Sequence, residues 1–326
     1  MKALLLKKVG SPYELSIEDV PVPVPGPREV RIKVASSSIN PVDFKFAKGG
    51  NSLSLPHVLG IDAAGVIDAV GPDVSGWKAG ERVVTMNNLL RWGGFAEYVV
   101  VSQDAISAIP QHLAFDAAAT IPCAGLTAWQ AVYRKAHLEA GQTVLVNAGG
   151  GGVGGFVIQL AKDLGATVYA TASSAPERII KLGADAVINY KTENVVERVM
   201  TLSAGRGVDA VIDMVSGEAS AALLPVLRHN GHLVSVSGRV DTHPVPAWTK
   251  AISLHEVALA FAYQHGDSEN LRDIARGGAF MAQRMADGRL DPMISQVIPL
   301  EDVPDALRLA EAGKTQGKVV IRIANL

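Results

Sequence analysis

The chain has 326 residues, a length that predicts two domains or one large one. Hydrophobic residues make up 48% and charged residues 19%, which supplies a sizeable core and excludes disorder as the main state. The net charge of −2 comes with no basic block, which excludes nucleic-acid binding through phosphate neutralisation.

The opening strand is expected at Ala3–Leu6; this apolar run is too short for a signal peptide and charge follows at Lys7 and Lys8. Pro21, Pro23, Pro25 and Pro27 make an extended approach to Val30–Val34, which alternates apolar and polar like a half-buried strand. Val66–Val70, Arg82–Thr85 and Ala96–Val101 read as further strands, with turns at Gly71-Pro72, Gly76 and Gly80. This part is mostly β. From Cys123 the rhythm changes. Strands are predicted at Thr143–Asn147, Thr167–Thr171, Ala186–Asn189, Val208–Asp213 and His232–Val236. Helices alternate with them at Val153–Leu164, from Pro176, at Val195–Leu202 and at Ala219–Leu227. Such alternation predicts an α/β fold with a doubly wound parallel sheet. Beyond Val240, helices are expected at Asn270–Asp287 and Val303–Ala312. A final strand at Lys318–Ile323 could join either sheet.

Two features bear on location. The uncharged stretch Ala140–Ala161 has the length of a membrane span, but it holds six glycines between Gly149 and Gly155 and reads as a buried strand, turn and helix, so no membrane is expected. The single cysteine, Cys123, cannot form an internal disulfide, which suits a reducing, cytoplasmic compartment.

The most informative segment is Asn147–Gly155, NAGGGGVGG, which contains Gly149-x-Gly151-x-x-Gly154 between a predicted strand and a predicted helix. Glycines permit the tight turn, let a pyrophosphate approach the backbone, and let helix and strand pack closely. The helix N-terminus, at Gly152, Val153 and Gly154, then offers free N–H groups and partial positive charge to phosphates. Dinucleotide enzymes that take NAD place an acid at the tip of the next strand. Here that tip reads Ser173-Ser174-Ala175-Pro176-Glu177-Arg178. Two hydroxyls and a guanidinium suit a 2′-phosphate, so NADPH is the expected cofactor. The alternative is that Ser173 caps the helix and Arg178 is a solvated charge. Ser237 follows a predicted strand, at the end where open α/β sheets bind ligands.

Taken together, several segments resemble the medium-chain dehydrogenase/reductase superfamily in its zinc-free quinone oxidoreductase branch. They include Ser38-Ile39-Asn40-Pro41-Val42-Asp43, Leu59-Gly60-Ile61-Asp62, Gly94-Phe95-Ala96-Glu97-Tyr98, Gly125-Leu126-Thr127-Ala128, Leu182-Gly183-Ala184-Asp185 and Gly317-Lys318-Val319-Val320. The resemblance implies a GroES-like, mostly β catalytic domain over 1–122 and 263–326, interrupted by a Rossmann domain over 123–262. It also implies a homodimer. Zinc members of the superfamily hold a catalytic metal with Cys and His ligands, and a catalytic zinc needs three protein ligands. Here Ile61 replaces the usual histidine and Asn40 the early cysteine, Cys123 stands alone, and the four-cysteine structural lobe is absent. No metal is therefore expected.

Carbonyl polarisation must then come from hydrogen bonds, which favours quinones and enones because their reduction gives a delocalised oxyanion. The resemblance places Asn40 at the nicotinamide pocket. It matches Lys45 to a lysine of enone-reducing relatives that would bond the substrate oxygen and donate a proton. Asp43 would assist Lys45 or cap a turn, and Lys45 itself has the alternative of a solvated surface charge. Thr127 and Phe261 are implied near the nicotinamide, Tyr190 at the adenosine phosphate, and Lys318 as a further cofactor contact; the alternatives are a core position for Phe261 and a half-buried strand-end aromatic for Tyr190. Two other functions stay open: a carbonyl reductase of alcohol dehydrogenase type with another general acid, and an NADPH-binding structural or sensor protein.

Overall fold

A computed structural model describes residues 1–11, 13–49 and 53–326, which fall into two compact units. The first combines Met1–Leu126 with Ala260–Leu326; the second is Thr127–Leu259. The sequence-based borders at 122/123 and 262/263 lie inside helical turns, because a π-helical turn at Ile121–Gly125 runs on into helical residues and Ala262–His265 is itself a short helix.

The N-terminal part of the first unit holds β1 (Lys2–Lys8), β2 (Glu14–Asp19), β3 (Glu29–Ser38), α1 (Pro41–Ala47), β4 (His57–Val58), β5 (Asp62–Val70), β6 (Arg82–Met86), β7 (Tyr98–Ser102), β8 (Ile106–Ala108) and α2 (Phe115–Ala118). Alternation sets the inward face: Val30, Ile32 and Val34 of β3 pack with Ile67, Val83, Val99 and Ile106 in one core. Strands β2, β1 and β4 form a small sheet, in the order β2-β1-β4.

The second unit opens within the helix α3 (Leu126–Trp129), which a further π-helical stretch, Gln130–Lys135, extends. It contains β9 (Thr143–Asn147), α4 (Gly152–Asp163), β10 (Thr167–Thr171), α5 (Pro176–Lys181), β11 (Ala186–Ile188), α6 (Val195–Leu202), β12 (Val208–Asp213), α7 (Gly217–Leu223), β13 (Leu227–Ser235) and β14 (Ser253–Glu256). All pairings are parallel and the order is β11-β10-β9-β12-β13-β14. Counted within the unit this is 3-2-1-4-5-6, the doubly wound order whose switch point falls between its first and fourth strands, β9 and β12. Leu145, Val211 and Leu233 from adjacent strands fill its core with Ile188 and Leu224. The helix expected over Ala219–Leu227 is shorter. It ends at Leu223, a 3-10 turn containing Pro225 follows, and β13 already begins at Leu227.

The chain then returns to the first unit with α8 (Ala262–His265), α9 (Ser268–Ala286), β15 (Ile294–Ile298), α10 (Val303–Glu311) and β16 (Lys318–Arg322). The final strand, which could have joined either sheet, pairs antiparallel with β3 (Val320 opposite Ser38, Ile321 opposite Ser37). The larger sheet of this unit is thereby ordered β15-β16-β3-β5-β6-β8, with β7 also on β3.

Candidate active site

The glycine turn sits at the end of β9, at the switch point of the second unit's sheet. Its shape depends on missing side chains. A Cβ on Gly154 would stand 2.3 Å from the Ala148 carbonyl oxygen and 2.9 Å from the Gly149 Cα; one on Gly149 would stand 2.9 Å from the Ala170 side chain. These contacts let α4 pack against β9 and β10. Gly151 occupies the N-cap of α4 and offers no side chain, so the first amides of the helix, at Gly152, Val153 and Gly154, carry no side-chain cap. The turn is anchored from below. The Gly149 amide donates to the Thr171 carbonyl (2.9 Å), the Ala148 amide to Thr171 Oγ1 (3.0 Å), and Asn147 Nδ2 to Asp213 Oδ1 (2.6 Å). Asp213 is fully buried and also accepts from Ser220 Oγ at 2.6 Å.

At the tip of β10, Tyr190 and Ser173 are brought together: the phenol donates to Ser173 Oγ at 3.0 Å. Ser174 is exposed, and Arg178 lies on the first turn of α5, which opens with proline as expected. Ser237 donates to the Met214 carbonyl, which joins the loops that follow β13 and β12. Thr127, near the start of α3, is buried in the second unit.

The first unit holds a different cluster. Asn40 is buried at the end of β3 and precedes α1, where Pro41 takes the first helical position. Its amide is fully engaged: Nδ2 donates to Asp62 Oδ2 (2.6 Å) and to the Ser38 carbonyl (3.2 Å), while Oδ1 accepts from Lys318 Nζ (2.6 Å). Asn40 was expected to face a nicotinamide; both its N–H groups are spent within its own unit. Lys318, expected beside the cofactor, is 3% exposed. Its ammonium also donates to the Ile39 carbonyl (3.1 Å) and stands 3.7 Å from Asp62 Oδ2. Asp62 accepts in addition from Ser38 Oγ and from the Cys123 amide (2.8 Å).

Asp43 is buried and faces inward, its carboxylate accepting from the amides of Asn40 (2.9 Å) and Ile61 (3.2 Å). Burial, and next the Asp62 carboxylate, push its carboxyl up to about 7 against those hydrogen bonds. Burial likewise raises Asp62, opposed by the Lys318 ammonium, and raises the Cys123 thiol. Lys45 points elsewhere. It is exposed on α1 and makes no hydrogen bond with Asp43 among the described residues. Phe261 is half exposed and stacks on His265.

Asp62 is the member of this cluster that sequence reasoning passed over. It sits beside a run of small residues, and the partner that explains it, Lys318, is far away in the chain. The available signal was an acid followed by small residues, Asp62-Ala63-Ala64-Gly65, at the start of a strand.

The donors in this cluster do not fit a zinc ion. Ile61 has none, the Asn40 oxygen is taken by an ammonium, and Cys123 is the chain's single thiol. Among the described residues no group of three or more His, Cys, Asp or Glu side chains could hold a metal. The glycine turn, by contrast, fits the pyrophosphate of a dinucleotide, since a Cβ on Gly149 or Gly154 would clash with the turn and the helix amides stand uncapped.

Comparison with known proteins agrees with this architecture. Residues 26–111 match the alcohol dehydrogenase GroES-like domain, and residues 182–321 match the family described as zinc-binding dehydrogenase. Quinone oxidoreductase from Sus scrofa is 32% identical over 313 residues, covering 94% of this chain and 92% of the relative. Among solved structures, an NAD-dependent alcohol dehydrogenase is 32% identical with a TM-score of 0.86, covering 99% of this chain and all of the other. A mycobacterial protein complexed with NADPH is 29% identical with a TM-score of 0.88 and equal coverage. The sheet order and the glycine turn define a dinucleotide-fold oxidoreductase. The chain belongs to the medium-chain dehydrogenase/reductase superfamily, in its quinone oxidoreductase branch. No helix among the described residues is long and apolar enough to cross a membrane.

Proposed function

We propose that this oxidoreductase uses NADPH to reduce quinones or α,β-unsaturated carbonyl compounds, without a metal. The observation that carries this reading is the uncapped glycine turn at the sheet's switch point, with hydroxyls, a phenol and a guanidinium in place of an acid at the tip of β10. Bound NADPH supplies a hydride. The chain's residues do the rest. The amides of Gly152, Val153 and Gly154 bind the pyrophosphate. Ser173, Ser174, Arg178 and Tyr190 hold the 2′-phosphate by charge-assisted hydrogen bonds. Thr127 bonds the nicotinamide end.

Asn40 has no donor to spare, so the hydrogen bond to the substrate oxygen falls to Lys45, whose exposed ammonium donates a proton as negative charge builds there. Quinones and enones suit such a site, because their oxyanion is delocalised and one ammonium stabilises it where a metal would otherwise be needed. A homodimer belongs to the same reading: β14 ends its sheet with an edge that has no strand partner among the described residues, and such edges are commonly covered by a second chain.

The test is turnover of NADPH and NADH with 1,4-benzoquinone and a simple enone, on protein whose metal content has been measured. NADPH-preferring turnover independent of zinc is expected. Preference for NADH, or activity that tracks stoichiometric zinc, would overturn the reading, and tight NADPH binding with no turnover would make the chain a binding protein instead.

A further inference from the structure

We propose that Lys318 is a positioning residue whose buried ammonium serves as a built-in cation, fixing Asn40 and the start of α1 in the first unit. The inference rests in part on the proposed reductase reading, because α1 carries Lys45.

Three side chains from distant parts of the sequence close a ring. Lys318, the first residue of β16, donates to Asn40 Oδ1 at 2.6 Å. Asn40 donates to Asp62 Oδ2 at 2.6 Å, and that oxygen lies 3.7 Å from the ammonium. An amide presents a donor end and an acceptor end of nearly equal shape. A cation on one side and an anion on the other favour a single orientation, and this ring supplies both. The ammonium spends one more N–H on the Ile39 carbonyl, next to Asn40 in the chain. The segment just ahead of α1 is therefore held by one ammonium at two points, the Ile39 carbonyl and the Asn40 side chain. The helix is held at a third by Asp43, whose carboxylate accepts the Asn40 amide.

Charge makes the role specific to a cation. Asp43 and Asp62 are both buried, and Lys318 is the one buried cation among the described residues of this cluster. The oxygens around its nitrogen (an amide, a peptide carbonyl and a carboxylate) are the hard donors that surround a bound cation, and here they surround a tethered one. A neutral side chain of the same length would fill the volume but take the cation away from Asp62, which would keep only the Ser38 hydroxyl, the Asn40 amide and the Cys123 N–H, and would leave Asn40 Oδ1 without the donor it has here. Removing one partner of a buried ion pair is strongly destabilising.

Chemical rescue tests this. Lys318→Ala leaves a channel the size of propylammonium, and Lys318→Met fills it without charge. Both variants are expected to lower kcat for the enone by roughly 10- to 100-fold, as small misplacements of reacting groups do, with the KM for NADPH little changed. Propylammonium is expected to raise both the Tm and the kcat of Lys318→Ala saturably, and tetramethylammonium at equal concentration to raise neither. Lys318→Met with wild-type Tm and kcat, or Lys318→Ala insensitive to propylammonium, would overturn the proposal. If Lys318→Ala does not fold alone, refolding yield with and without propylammonium gives the same readout. Should the wild type reduce neither quinone nor enone, the functional reading fails by itself, and the Tm response to propylammonium still decides whether a cation site exists.

Discussion

The hydroxyls of Tyr190 and Ser173 meet at 3.0 Å, and this single hydrogen bond ties the segment after β11 to the tip of β10. NAD enzymes carry an acid at the tip of this strand, and here Ser173 and Ser174 follow β10. Arg178→Ala and Tyr190→Phe are each expected to raise the KM for NADPH, Arg178→Ala by roughly tenfold or more, the scale of one lost charge-assisted hydrogen bond. The KM for NADH should stay unchanged. Steady-state kinetics with both cofactors checks this, and an equal rise for the two would remove these residues from 2′-phosphate recognition.

Glycine substitutions in the turn should separate by space. A methyl group at Gly154 would press on the Ala148 carbonyl oxygen at 2.3 Å, and backbone cannot yield there as a side-chain tip would. Gly154→Ala is expected to cost about 1–3 kcal/mol of stability and to abolish dinucleotide binding. Gly150→Ala meets only the Ile179 side chain, at 3.9 Å, and should fold normally. Denaturant melts and calorimetric titration with NADPH distinguish the two variants; identical behaviour would mean that close packing does not shape the turn.

Lys45 should matter to chemistry and not to folding, since it is exposed and forms no ion pair among the described residues. Lys45→Ala is expected to lower enone kcat by about 100-fold, the usual scale for a general acid, and to leave the Tm within a degree or so of wild type. Quinones, which need less help at oxygen, should lose less. An unaltered enone kcat would take Lys45 out of the reaction.

Asp43 predicts an unusual slope of stability with pH. Its carboxyl is raised from 3.8 to about 7 in the fold, so the folded chain holds that proton more tightly than the unfolded chain does. Its contribution is therefore complete below pH 3.8, declines as pH rises, and is lost above about 7. The difference is on the order of a few kcal/mol. Asp43→Asn removes the titration, so the stability of wild type relative to this variant should fall between pH 4.5 and 7.5. Urea melts at the two pH values measure it, and a constant difference would show that Asp43 stays ionised throughout.

Legibility from sequence followed burial. Strands such as β9, β10 and β12 are short, mostly apolar runs, and their limits were read correctly because parallel strands covered on both faces carry few polar residues, Asp209 within β12 being a buried exception. The start of β13 was missed because Arg228, His229 and Asn230 look like a loop while their backbone already lies in the strand. The helical run from Ile121 to Lys135 was missed as well, since Pro122 and Gly125 advertise a break that π-helical geometry absorbs. At the site, the glycine turn was readable because its neighbours in space are neighbours in sequence. The Asn40–Asp62–Lys318 ring was not, because its members meet only after β16 has found β3.

The pairing of β16 with β3 has a consequence for how the chain acquires its structure. During synthesis β3 emerges long before Lys318, with the whole 127–259 segment in between. That segment is continuous and can close on itself as soon as it clears the ribosome. The unit translated first is thus the one finished last, and until β16 arrives it must keep two carboxylates hydrated that the mature protein seals away from water.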